Sequence, residues 1–426
     1  MNEMVESDSD QEIACAAAAY VLLSGDYLRK KTEKRKRRWW MTSLNKSRKR
    51  YSATDMLIDL KQEPSGKFEN FCRMSATDFE SLLGKIGKLI AKKSTNMRDT
   101  IPFQERLAVT LRFFATGDSY ASLSYLFKFS KQTISRCIDD VCKAIIQELK
   151  EEIKLPENED ECLCIAQQFE NQWNFPNCLG AIDGKHVVIQ CPNNTSTEFF
   201  KYKGTFSVVL LALVDARYCF TFVDIGCQGR ISDGGVFNNS VLLTKLKMEQ
   251  LKLPPNRKLQ PLGKNLPYVF LGDSAFAISR HMMKPYPGNF EKGSTERIFN
   301  YRLSRARRVV ENVFGIMASA FRVFRKPMAL QPDKVSDVTL ACVLLHNFMR
   351  KSASSTSSYS PPGTFDIEAD GDVVSGSWRN DQSGMTSFMP LKKAPRKSGQ
   401  VAKATRNCFA EYFSTSGKLS WQDKYC

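Results

Sequence analysis

From Phe68 to about residue 153, apolar side chains recur at helical spacing. Phe68, Phe71, Met74, Phe79, Leu82, Leu83, Ile86 and Leu89 form one such series. Ser75 is placed to cap a helix, with Asp78 and Glu80 in its first turns. Pro102 opens the next helix, which runs through Leu107, Leu111 and Phe114 and closes at Gly117. Two short amphipathic helices follow, one over Tyr120 to Phe127 and one from Ser130 to Cys142, with a tight joint between them. Beyond residue 177 the pattern changes to short, Gly-bounded runs rich in Val, Ile and Phe, as buried strands read. Strands are predicted over 180–190, 206–214, 218–225 and 267–271, the middle pair as a hairpin turning at Asp215-Ala-Arg217. The Pro- and Lys-rich stretch 251–264 reads as a surface insertion, and helices follow over 300–320 and 336–349. Strands, a helix, another strand and more helices predict an α/β fold whose mixed-sheet domain follows a helical, helix-turn-helix-like domain.

Four segments result. Residues 1–67 form a basic N-terminal arm, partly disordered, and 68–153 the helical domain. Residues 177–350 form the α/β domain, and 351–426 a Ser-rich tail. The composition of 351 to about 400 predicts disorder, because it offers too little apolar surface to offset the entropy of folding. A short terminal piece from Phe409 to Trp421 is apolar enough to dock back on the body.

Charge narrows the range of partners. With 62 Lys+Arg against 45 Asp+Glu the formal charge is +17, and a polyanion, nucleic acid before membrane, is the partner such an excess favours. Part of it is concentrated in Lys34, Arg35, Lys36, Arg37 and Arg38, a cluster of the kind read by import receptors or laid against phosphates. It predicts a nuclear protein, with the cytoplasm as second compartment. Thirteen cysteines without a CxxC pair argue against a structural zinc site or a disulfide framework. The run Phe206 to Val214 is too short to span a bilayer, so no membrane association is expected.

Three carboxylates have distinctive surroundings. Asp183 lies in Ala181-Ile-Asp-Gly-Lys-His-Val187, Asp273 in Gly272-Asp-Ser-Ala-Phe276, and Glu311 in Arg308-Val-Val-Glu-Asn-Val-Phe-Gly315. Strand alternation puts Asp183 and Lys185 on one face, with Gly184 and His186 on the other. Asp273 follows directly on a predicted strand, and Glu311 lies on a helix with Arg307 and Arg308 on its face. Gly315 is small enough to let that helix approach the sheet. Brought together, such carboxylates suit a hard divalent cation, Mg2+ or Mn2+, and phosphodiester chemistry. Each also has a plainer use: Asp183 in a turn, Asp273 as a helix cap, Glu311 paired with Arg307. His186 and His346 read as packed, hydrogen-bonded histidines outside the metal set.

In the second of the two short helices, Lys131, Gln132, Ser135 and Arg136 are candidates for contact with DNA bases and phosphates. The same pattern also describes an ordinary helical hairpin whose second helix only packs.

The three carboxylate motifs, in this order, resemble those of the PIF/Harbinger transposase-derived nucleases of the DDE superfamily. The likeness extends to Asn300-Tyr-Arg-Leu-Ser-Arg-Ala-Arg307, Phe321-Arg-Val-Phe324, Ala341 to Met349, the helical region from Phe71 to Leu149, and the closing Trp421-Gln-Asp423. It implies an RNase H-like catalytic domain, divalent-metal dependence and cleavage of DNA, with Asp183, Asp273 and Glu311 as catalytic residues and metal ligands. It adds Asp233, in Gly229-Arg-Ile-Ser-Asp-Gly-Gly235, as a further metal ligand. It also implies a Myb/SANT-like DNA-binding partner protein, and a homo-oligomer is compatible with it. A domesticated nuclear DNA- or partner-binding protein without transposition activity is the alternative. The family usually reads Asp-Gly-Thr-His and Asp-Ser-Gly-Tyr where this chain has Asp183-Gly-Lys-His and Asp273-Ser-Ala-Phe; both departures spare the carboxylates.

Overall fold

The computed structural model describes residues 12–24, 41–63, 65–94, 99–191, 199–201, 205–229, 233–259, 265–369, 372–382, 384–391 and 399–426. The basic cluster Lys34 to Arg38 lies outside them. Contacts divide the chain into Met1–Ser47 and Arg48–Cys426. In the first unit residues 12–24 are helical, and a short helix at Ser43–Lys46 is capped by the Thr42 hydroxyl.

The second unit begins with helices whose boundaries follow local chemistry. These are α1 (Ala53–Gln62), α2 (Lys67–Cys72), α3 (Ala76–Ile90), α4 (Phe103–Thr116), α5 (Tyr120–Phe127), α6 (Lys131–Leu149) and α7 (Glu159–Trp173). The Ser75 hydroxyl accepts from the Asp78 amide at 3.1 Å and starts α3, and Ser130 does the same for α6 through Thr133 at 3.2 Å. Gly117 ends α4 at φ 65, a left-handed conformation that costs glycine little. Ile134, Ile138, Val141 and Ile145 of α6 are buried in the same apolar core as the sheet. Lys334 ties α6 to a later helix through Asp139 at 2.5 Å. The apolar face of this amphipathic α6 therefore packs in the core that the α/β part also occupies.

The sheet is built from β1 (Cys178–Ile189), β2 (Thr205–Val214), β3 (Phe220–Gln228), β4 (Val269–Leu271), β5 (Met282–Met283) and β6 (Met389–Pro390). Its order is β3-β2-β1-β4-β5, with Phe200–Lys201 beside the start of β2 and β6 beside the end of β1. The first three strands are antiparallel, and β4 and β5 continue in parallel. At the β2–β3 turn the Asp215 carboxylate accepts from the amides of Arg217 and Cys219 at 2.9 and 2.8 Å. Helices α8 (Asp233–Asn238) and α9 (Val241–Lys247) supply Val236, Phe237 and Leu242 to one face, against Ile182, Val209 and Leu211. On the other face α10 (Thr295–Ala320) and α11 (Pro332–Lys351) pack against Val187, Leu210 and Ala212. Both faces of the sheet are covered, which explains the near-continuous apolar runs of β1 and β2.

The Ser-rich tail departs from expectation. It forms α12 (Ala353–Tyr359), two short strands at Ile367–Ala369 and Asp372–Val374, a 3-10 turn at Ser377–Gln382, and β6. Tyr359, Trp378, Phe388 and Leu391 are buried, each stabilising the fold by roughly 1.5–3 kcal/mol. A few large apolar residues spaced through the serines are enough to pin the segment, and an averaged composition hides them. Last come α13 (Gln400–Ser414), which docks Phe409 and Phe413 onto α10, and α14 (Gln422–Tyr425).

Candidate functional site

Asp183 lies mid-strand in β1, in register with Ala212 of β2. Its neighbour Gly184 points to the reverse face, where a Cβ would come within 2.0 Å of the Leu391 side chain; glycine is what lets the tail lie on the sheet there. Asp273 follows β4, and its Oδ1 accepts from the Ala275 amide at 2.8 Å. Glu311 is carried by α10, which lies on the Asp183 face. The three carboxylates line one cleft of about 440 Å³ together with Lys185 and Arg307. Its far wall comes from the tail: Trp378, Met385, Phe388, Met389, Pro390 and Leu391.

The charges in this cleft are close but loosely paired. Lys185 Nζ lies 4.0 Å from one Asp183 oxygen and Arg307 Nη2 lies 4.0 Å from the other. All three side chains are less than one fifth exposed, so water screens them only in part. Arg307 faces Asp183 instead of pairing along the helix with Glu311, and Arg308 turns away to Glu368 at 2.5 Å. Among the described residues no three His, Cys, Asp or Glu side chains close on a point that could hold a metal ion. The arrangement is therefore a shared acidic cleft whose three carboxylates are offset in part by a lysine and an arginine, both beside Asp183.

Several expectations change. Gly315 does not serve a close approach to the sheet: a Cβ there would meet the Trp378 ring at 2.1 Å, so the glycine accommodates the tail. Asp233 starts α8, but its side chain lies outside the described residues. On α6, Lys131, Gln132 and Arg136 are exposed. Ser135 is half-buried, with Lys334 Nζ at 3.4 Å from its hydroxyl, and is turned toward α11. His186 is buried, with Nδ1 3.0 Å from the Ser207 hydroxyl. His346 lies between the Tyr359 hydroxyl and the Tyr218 carbonyl, both at 2.8 Å, and burial pushes it down to about 3. Both histidines are packed and bonded away from the cleft. The tail wall was missed in the sequence, although Trp378 and the Phe388-Met-Pro-Leu391 run were its visible signal.

Among the described residues no helix is long and apolar enough to cross a membrane. The model of the DDE superfamily endonuclease family matches residues 182–347, and residues 49–147 match a domain of unknown function. The protein from Homo sapiens named "Putative nuclease HARBI1" is 24% identical over 269 residues, covering 62% of this chain and 72% of the relative. Two Arabidopsis thaliana proteins are comparable. The one named antagonist of like heterochromatin protein 1 is 24% identical, covering 66% of this chain and 72% of its own length. The one named ALP1-like is 26% identical, covering 66% and 70%. No solved structure matches the chain. The matched span holds all three carboxylates, and the chain is similar to these relatives across most of their own lengths.

Proposed function

We propose that this protein is a divalent-metal-dependent endonuclease that cleaves DNA phosphodiester bonds. The observation that carries the reading is the meeting of Asp183, Asp273 and Glu311, from two strands and a helix far apart in sequence, in one cleft. The strand order, three antiparallel strands continued by two parallel ones, supports an RNase H-like domain. The donor set fits Mg2+ or Mn2+: carboxylate oxygens line the cleft and no His or Cys does. Asp183, Asp273 and Glu311 would hold the ions, with Asp233 as the fourth candidate. Bound there, such ions would activate a water and stabilise charge at phosphorus.

The chain's own groups have separate tasks in this reading. The Ala275 amide fixes the orientation of Asp273. Lys185 and Arg307, which face Asp183, supply positive charge for phosphate oxygens once the carboxylates are otherwise engaged. Phe314, Phe388 and Leu391 give the cleft an apolar lining that limits water. Lys131, Gln132 and Arg136 at the exposed start of α6 are the side chains we assign to DNA contact, with a Myb/SANT-like partner sharing recognition. Lys34 to Arg38 would serve nuclear import.

One observation favours a second reading. An Asp183 already balanced by Lys185 and Arg307 also suits a domesticated DNA- or partner-binding protein that cuts nothing. Nicking of supercoiled plasmid separates the two. The nuclease reading expects Mg2+-dependent nicking that is lost in Asp273→Asn; DNA binding without nicking at any Mg2+ or Mn2+ concentration supports the second and overturns the first.

A further inference from the structure

The last turns of α10 separate the carboxylate cleft from a second cavity. Gly315 and Ala318 line the cleft, Ile316, Ser319 and Ala320 line its neighbour, and Trp378 lines both. The second cavity, about 640 Å³, opens between α10, α2 and α12. Arg73, the residue that ends α2, points its charge there from a left-handed backbone conformation, φ 62. Its Nη1 donates to Asn70 at 2.8 Å, but its Nε is buried with no hydrogen-bond partner among the described residues. Ser75, Ser354, Ser357, Ser358 and Ser377 line the same space, with the Ser75, Ser354 and Ser358 hydroxyls bonded within the protein.

Two carboxylates, Glu69 and Asp381, also line it. Asp381 is already engaged by Arg325 at 2.6 Å and Arg322 at 4.0 Å. Burial, and after it the like charges of Arg322, Arg112 and Arg325, hold the Arg73 guanidinium below its usual range, with Asp381 opposing. An anion entering the cavity would relieve that crowding.

We propose that this cavity holds a backbone phosphate of the DNA strand whose scissile bond lies in the carboxylate cleft. The inference rests on the nuclease reading and adds a subsite to it. From Glu311 to Ser319 the helix rises about 12 Å, equal to the axial rise of roughly three to four nucleotides of B-form DNA. A planar guanidinium with an unpartnered N–H, set beside serine side chains, matches the oxygens of a phosphodiester. The contact carries no base information; its effect is to fix the register of the strand.

The test uses the full chain carrying Asp273→Asn, so that binding is read without cleavage. A labelled duplex is titrated between about 50 and 200 mM salt. Arg73→Gln should weaken binding and reduce the slope of log affinity against log salt by about one, while Arg73→Lys keeps the slope. Ser357→Glu, an exposed position at the rim, should weaken binding with an unchanged melting temperature, which guards against a misfolded Arg73 variant. Unchanged slopes in both Arg73→Gln and Ser357→Glu overturn the subsite. Inorganic phosphate that erases the Arg73 contribution at matched ionic strength marks a free-anion site and overturns the DNA assignment. A reduced slope, together with a parent chain with Asp273 intact that nicks no plasmid, overturns the nuclease reading and keeps the phosphate site, whereas nicking by that parent with an unchanged slope removes the phosphate site alone.

Discussion

Arg302 and Arg305, in the first half of α10, and Arg307 and Glu311, further along it, carry charged groups into opposite surroundings. Arg302 is fully buried and donates to the Gly417 carbonyl and the Gln422 side chain, each at 3.0 Å, and to the Asn174 carbonyl. It stacks 4.3 Å from the Phe413 ring, and burial pushes it down to about 10. Arg305 and Arg308 close on the nearly buried Glu368 at 3.1 and 2.5 Å. The Arg302 contacts bind the α13–α14 segment to the body, and the Arg305 and Arg308 pairs hold the short strand Ile367–Ala369. In the cleft the spacing is looser, 4.0 Å on either side of Asp183, and the groups reach solvent. Tight, dry pairs fix a structure, because exchanging either partner strands a buried charge. Loose, half-wet pairs leave charges able to change partners, as the proposed binding of a cation and a phosphate would require.

Substitutions on the two sides should therefore fail differently. The largest effect expected is on activity: Glu311→Gln should bring Mg2+-dependent nicking below detection while the melting temperature stays near that of the parent, checked by plasmid assay and thermal melt on one preparation. Arg302→Ala should do the reverse in kind, costing about 3–5 kcal/mol in denaturant unfolding because buried carbonyls and Gln422 lose their donor. Loss of activity in Arg302→Ala should appear only with unfolding; an intact fold with a dead site would break the comparison.

His346 offers a pH test away from both regions. Its folded value, about 3, lies below the ordinary 6.5, so the unfolded chain takes up a proton first as the solution is acidified. Stability from keeping it neutral is complete above about pH 6.5 and lost as pH falls toward about 3. His346→Gln should lower stability at pH 7 but flatten the fall between about pH 7 and 5, measured by unfolding at both values. Gly315→Ala should have a smaller effect, about 1–3 kcal/mol, by pushing Trp378 off α10. Since Trp378 walls the cleft, a milder change in nicking should accompany it.

The sequence made one side of this comparison far easier to read than the other. Helix starts at Ser75 and Ser130 and the stop at Gly117 were legible because each is set by a local hydrogen bond or a backbone preference. Asp183, Asp273 and Glu311 were legible as a set because each sits at an element edge or face that periodicity reveals. That Arg307 faces Asp183 while Arg308 faces Glu368 was not, since both lie on the same helical side and only the tail's position separates them. The tail itself was hidden by its serines: Trp378 and Phe388 pack against partners some 60 residues or more away, Asn312 and Phe314 of α10, and local composition carries no trace of that. Gly315 was seen as a close-approach glycine, but its partner was misassigned for the same reason.

Metal-dependent melting tests the exchangeable character of the cleft most directly. Titrating Mn2+ into the wild-type chain, we expect the melting temperature to rise with concentration, as any ligand of the folded state requires. Glu311→Gln should remove that response while leaving the metal-free melt unchanged or slightly higher, and Arg307→Gln should strengthen it by removing a competing cation. A Glu311→Gln protein that responds to Mn2+ as the wild type does would contradict the assignment of the cleft.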